Sequence, residues 1–120
     1  MAHFAELNEN NEVISVIVVG NQNITNSDGK EDEQIGLNYI RDVLKSSSRW
    51  VQTSYNNNFR VRFATITGTY NEKLDAFISP KPYESWVLNE ETADWEAPIP
   101  EPNDGNGYDW NENTQTWDRI

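Results

Sequence analysis

The chain has 120 residues, no cysteine, one histidine and a formal net charge of −11. One modest core fits that length. Disulfides, thiolate chemistry and cysteine-bound zinc are excluded, and a triad or multi-histidine metal site would have to use His3, close to a terminus. Hydrophobic residues make up 36% of the chain, but five are tryptophan, and large rings recover burial area that an acidic disordered segment lacks.

In chain order, His3 to Val19 reads as a hairpin. Phe4, Leu7, Val13 and the run to Val19 favour strands, and Asn8 to Asn11 supplies the turn. Val16 to Val19 does not alternate, which predicts a strand covered on both faces. This run is too short to span a bilayer, and no membrane partner or secretory leader is expected. Gly20 to Gly29 is polar and predicts a loop. Glu31 to Ser46 carries apolar residues at helical spacing, with Glu31, Asp32 and Glu33 in the first turns and Lys45 in the last. Asn26 to Asp28 are the expected N-caps. Gly36 inside this helix marks either close packing or a late start.

Trp50 to Thr53 and Phe59 to Thr67 then read as strands around a turn at Tyr55 to Phe59. In the second strand Phe59, Val61 and Phe63 share one face and Arg60 and Arg62 the other. That arginine pair is either a solvated face or a basic strip for a partner.

From residue 68 a repeat emerges. Trp86-Val87-Leu88-Asn89-Glu90 through Trp95-Glu96 aligns without a gap on Tyr108-Asp109-Trp110-Asn111-Glu112 through Trp117-Asp118. Looser copies run from Tyr70-Asn71-Glu72 to Phe77 and from Leu7-Asn8-Glu9 to Val13-Ile14. The pattern is an apolar residue, Asn, Glu, a variable stretch and a large apolar residue. It predicts a short hairpin with Trp95 or Trp117 crossing to the aromatic residue of the first strand. The connectors Pro80-Lys81-Pro82 and Pro98-Ile99-Pro100 with Pro102 force extended backbone. The expected fold is therefore α+β. Residues 1–78 form a small antiparallel sheet with one helix, expected to be the docking domain, and residues 79–120 form an extended arm rich in proline and tryptophan, with hairpins at 86–96 and 108–118, that would reach along or between subunits.

The charge is uneven. Residues 1–29 hold four acids and no Lys or Arg, whereas residues 67–120 hold twelve acids against three bases. Such a C-terminal half repels phosphates, so no nucleic-acid partner is expected. There is no phosphate loop and no zinc spacing. Asp104, Asn106 and Asp109 gather oxygen near Gly105 and Gly107 but lack a calcium-loop spacing and read as a polar turn. No catalytic residue, metal or cofactor is expected, and the chain does not read as an enzyme. The partner-binding candidates are Trp86, Trp95, Tyr108, Trp110 and Trp117, with Arg60 and Arg62. The rings can clamp their own hairpins, fill pockets on a protein neighbour or stack on sugar rings.

A set of short motifs adds a likeness. Thr53-Ser54-Tyr55-Asn56, Phe59-Arg60, Gly68-Thr69-Tyr70, Asp75-Ala76-Phe77-Ile78, Lys81-Pro82-Tyr83-Glu84-Ser85-Trp86, Trp95-Glu96-Ala97-Pro98 and Tyr108-Asp109-Trp110 are spread over nearly the whole chain. Together they resemble a family of small proteins encoded by tailed phages of marine bacteria, cyanophages among them. The resemblance implies a phage origin and a place in the virion, assembled in the host cytoplasm. Its implied role is capsid decoration or association with a tail or fibre. The partners would be other phage structural proteins, a capsid or tail subunit, or further copies of the chain. The alternatives are a carbohydrate-binding adhesion module of the virion and a host-takeover protein that acts outside the particle.

Overall fold

The computed structural model describes all residues, Met1 to Ile120, and divides into two compact units, Met1–Ser79 and Pro80–Ile120. One helix and several small antiparallel sheets make up the chain, so the α+β class holds.

In the first unit β1 (Ala2–Leu7) lies between β2 (Val13–Val19) and β3 (Arg49–Thr53), antiparallel to both. The β1–β2 turn works as its asparagines suggest. The Asn8 side-chain oxygen accepts from the Asn10 and Glu12 N–H groups, each at 2.9 Å. Asn11 takes the left-handed conformation (φ 62°) that Asn tolerates. A register shift between Glu6 and Leu7 sets Leu7 opposite Val13, so the first copy of the repeat is one residue shorter than the others.

The helix α1 spans Glu33–Asp42, shorter than the expected 31–46. Its cap is Asp32, which accepts from the Gln34 N–H at 2.9 Å, not Asn26 to Asp28. Those residues form a turn of their own, in which Asn26 accepts from Asp28 and Lys30 beneath a Thr25–Glu31 bridge. At the other end Lys45 turns left-handed (φ 61°) and the Ser46 N–H reaches back to the Ile40 carbonyl, which closes the last turn. Gly36 marks close packing. A β-carbon there would sit 2.4 Å from Phe4 Cζ, so the helix backbone rests on the Phe4 ring. Ala2, Phe4, Val19, Ile24 and Ile40 form the core on this face of the sheet.

The opposite face holds Ala5, Leu7, Val13 and Val51, covered by Ala64, Tyr70 and Phe77. Tyr70 and Phe77 belong to the hairpin β4 (Thr69–Asn71) and β5 (Ala76–Ile78). Two further expectations fail in this unit. Val16 to Val19 is not covered on both faces, because Val18 is 53% exposed. Phe59 to Thr67 is not a strand. Arg60 and Val61 have φ of 53° and 68°, and the Arg62 N–H closes a three-residue turn on the Arg60 carbonyl at 2.8 Å. Period-2 alternation cannot survive there, because the Arg60 side chain is drawn inward by carboxylates.

The second unit has no helix. It consists of β6 (Val87–Asn89) paired with β7 (Asp94–Glu96), β8 (Tyr108–Asn111) paired with β9 (Thr116–Arg119), and proline-containing connectors.

Candidate functional site

The aromatic candidates of the second unit are placed by one recurring loop. In each of its hairpins, as in β4–β5, an Asn ends the first strand and its side-chain oxygen accepts from the loop backbone. Asn71 accepts from Leu74, Asn89 from Glu91 and Thr92, and Asn111 from Thr114. The fourth loop residue turns left-handed in all three: Asp75 at 49°, Ala93 at 59°, Gln115 at 53°. This loop brings Tyr70 opposite Phe77 and Trp110 opposite Trp117, but it sets Leu88, not the aromatic Trp86, opposite Trp95, because Trp86 lies before the first paired residue, Val87. The asparagine amide then ties the far strand, through Asn89 to Glu96 at 2.8 Å and Asn111 to Asp118 at 2.9 Å.

The rings are locked together. Trp110 and Trp117 meet at 5.2 Å with planes at 67°. Trp86 packs against both, at 6.0 and 6.2 Å, and against Tyr83 at 5.5 Å. Glu112 binds Trp110 Nε1 at 2.8 Å and the Ser85 hydroxyl at 2.6 Å, which fastens the last hairpin to the residue before Trp86. Ser85 first and Trp110 second hold the Glu112 carboxyl below the usual range. Trp117 Nε1 donates to the Ile99 carbonyl at 2.7 Å, so the Pro98-Ile99-Pro100 connector lies along the indole edge. Trp86 Nε1 is buried without a hydrogen-bond partner, among rings whose faces are weak acceptors.

Trp86, Trp95 and Trp117 converge on an open groove of about 400 Å³, completed by Glu96, Ala97, Ile99, Pro100 and Glu101. Trp95 also carries the Lys81 ammonium 5.6 Å from its ring centre. Trp110 supports Trp117 from outside the groove lining. Tyr108 is held elsewhere: its hydroxyl donates to Asp104 at 2.6 Å, which lowers the Asp104 pKa and raises that of the phenol. Asp104 also accepts from the Asn106 N–H, so this stretch is a polar turn tied by its own residues.

Arg60 and Arg62 belong to the first unit and do not form a basic strip. The Arg60 guanidinium binds Glu33 at 2.7 and 3.0 Å, the Gln52 carbonyl at 2.8 Å and Asp75 at 2.9 Å. Burial opposes its charge, but the bonds to Glu33 and Asp75 outweigh that and raise its pKa. Arg62 donates to the Phe77 carbonyl at 2.7 Å. Both side chains hold the irregular 54–68 segment to the rest of the unit. Sequence reasoning missed Ile99, Pro100, Glu96 and Glu101 as groove residues. The proline connector was read only as a spacer, yet a rigid extended segment beside Trp-bearing hairpins is what can line a groove.

No family model, curated protein or solved structure matches the chain.

Proposed function

We propose that the chain is a structural protein of a phage particle, either a capsid decoration or a tail- or fibre-associated subunit. It acts without catalysis, by docking its second unit on another virion protein. The observation that carries the docking reading is the groove in which Trp86, Trp95 and Trp117 meet Ile99 and Pro100. Tryptophans already locked by neighbours lose little freedom on binding, and they dominate the energetics of protein contacts. Glu96 and Glu101 favour a basic neighbour. The phage setting rests on the sequence resemblance.

Peptide mass spectrometry of gradient-purified particles tests this reading. Copies near the number of capsid subunits indicate decoration, and a few to a few dozen indicate tail or fibre. A chain absent from particles overturns the proposal and favours a role inside the infected cell. Within the particle reading, Trp95→Ala is expected to cut incorporation at least several-fold while the chain remains folded. Tryptophan beside carboxylates in an open groove also suits a saccharide. A glycan that quenches tryptophan fluorescence in the native chain but not in Trp95→Ala would move the function to adhesion.

A further inference from the structure

A glycine directly after Asn or Asp opens a chemical route that other residues hinder. Its backbone nitrogen can attack the preceding side-chain carbonyl carbon and close a five-membered succinimide, with no β-carbon to crowd the ring. The route needs a backbone N–H free of other bonds, a carbonyl that is an amide rather than a carboxylate, and a segment outside any regular ladder. The chain offers Asp28-Gly29, Asp104-Gly105 and Asn106-Gly107, and the structure separates them. The Gly29 N–H is bonded to the Asn26 carbonyl at 3.0 Å. The Asp104 carboxylate is held by the Tyr108 hydroxyl at 2.6 Å and the Asn106 N–H at 3.0 Å, and its negative charge resists a nucleophile. At Asn106 every condition is met. Its side chain is an amide, it and Gly107 are exposed and precede β8, and the Gly107 N–H donates no hydrogen bond. Arg119 adds a further element. Its Nη2 donates to Asn106 Oδ1 at 3.1 Å. That oxygen gathers negative charge as the nitrogen adds, and a guanidinium beside it stabilises the charge.

We infer that Asn106 is a self-modifying site, where the chain deamidates itself through a succinimide with Gly107. The Gly107 nitrogen bonds to Asn106 Cγ, the Cγ–Nδ2 bond breaks, and the amide nitrogen leaves as ammonia with the proton that Gly107 gives up. Water then opens the ring at either carbonyl and leaves aspartate or isoaspartate at position 106. Both products add a negative charge to a chain already at −11. They differ in the backbone. Aspartate keeps the chain length and pairs with Arg119. Isoaspartate inserts an extra carbon ahead of the Tyr108–Arg119 pair, which draws the Gly107 carbonyl away from the Ile120 N–H it now accepts at 3.0 Å. The hairpin that carries Trp110 and Trp117 then loosens at its open end. This inference concerns the chain's own chemistry and does not depend on what the tryptophan groove binds.

Gly107→Ala is the decisive variant. Gly107 is not left-handed, and the nearest atom to an added β-carbon is Ile120 Cδ1 at 3.3 Å, the tip of a side chain that is 81% exposed. The hairpin is therefore kept while the ring closure is crowded. The full-length chain is incubated in warm, mildly alkaline buffer and mapped by peptide mass spectrometry at intervals. The peptide containing Asn106 is expected to show the amide-to-acid mass change before any other asparagine. It should elute as separate aspartate and isoaspartate forms, at a rate that rises with pH. Gly107→Ala should slow the conversion several-fold with an unchanged circular dichroism spectrum, and Arg119→Met should slow it as well. Tryptophan emission should shift as the native chain ages and hold steady in Gly107→Ala. An Asn106 amide that outlasts the other asparagines overturns the inference, as does a Gly107→Ala chain that converts as fast as the native one. Conversion that is unchanged or faster in Arg119→Met overturns the part assigned to the guanidinium.

Discussion

The hairpins β4–β5 and β8–β9 follow one local rule in two different settings. Each opens with Asn, closes through a left-handed fourth loop residue and sets two aromatic rings opposite each other across the strands at an angle, 5.2 Å apart in both. In the first unit Tyr70 and Phe77 are 8% and 1% exposed and seal the sheet. In the second, Trp110 and Trp117 are only half-buried, and Trp86 packs against both. The local rule thus sets the shape of the hairpin, and the surroundings decide whether its rings become core or surface. Leu74, Asp75 and their neighbours do not differ from the later loops in any way that announces this outcome.

The largest effect that separates the two settings is expected from truncating the ring on the return strand. Phe77→Ala removes a fully buried side chain and should cost about 3–5 kcal/mol. Trp117→Ala removes a larger ring but one that is only partly buried, and should cost about 1–3 kcal/mol. Chemical denaturation gives both values, and residue-resolved hydrogen exchange shows which unit opens. Equal losses would mean that the tryptophan cluster is as much a core as the sheet face.

A second contrast lies in the left-handed residue itself. Asp75 is joined to a network that its counterpart Gln115 lacks. The Tyr70 hydroxyl and then the Arg60 guanidinium bind its carboxylate and hold its pKa below the ordinary value. A depressed carboxylate stabilises the fold above its unfolded pKa of about 3.9, and that contribution is lost as pH falls through the lower folded value. The stability difference between the native chain and Asp75→Asn should therefore be constant between pH 5 and 8 and shrink below pH 4. Urea midpoints across that range measure it. Tyr70 sets the opposite limb, because burial first and Asp75 second raise its phenol; its contribution is lost as pH rises through that folded value.

Much of this was legible in the sequence, and the failures share a cause. The 22-residue repeat placed the hairpins, because Asn and the spaced rings act within a few residues. The first hairpin, the helix and Trp50 to Thr53 were legible for the same reason. Phe59 to Thr67 was not, since its alternation looked like a strand while its conformation is fixed by Glu33 and Asp75, distant in sequence. Arg60 and Arg62 were misjudged with it. At the candidate site, Trp86, Trp95 and Trp117 were legible as aromatic candidates, but not their convergence. That depends on Ile99 and Pro100, whose place is set by a hydrogen bond from Trp117.

The smallest effect tests the loop rule most directly. A left-handed conformation costs a residue with a β-carbon roughly 1–2 kcal/mol, and Gly escapes that strain but loses roughly 0.5–1 kcal/mol more in folding entropy. At Gln115, an exposed position, the balance favours Gly, and Gln115→Gly should stabilise the second unit by up to about 1 kcal/mol. Asp75→Gly relieves the same strain at φ 49° but deletes the acceptor for Tyr70 and Arg60, so its net effect should be destabilising. Opposite signs at equivalent positions would locate the difference between the hairpins in their side-chain partners. Gains at both positions would show that backbone strain outweighs the Arg60 network, and the buried hairpin would then owe its place to Tyr70 and Phe77 alone.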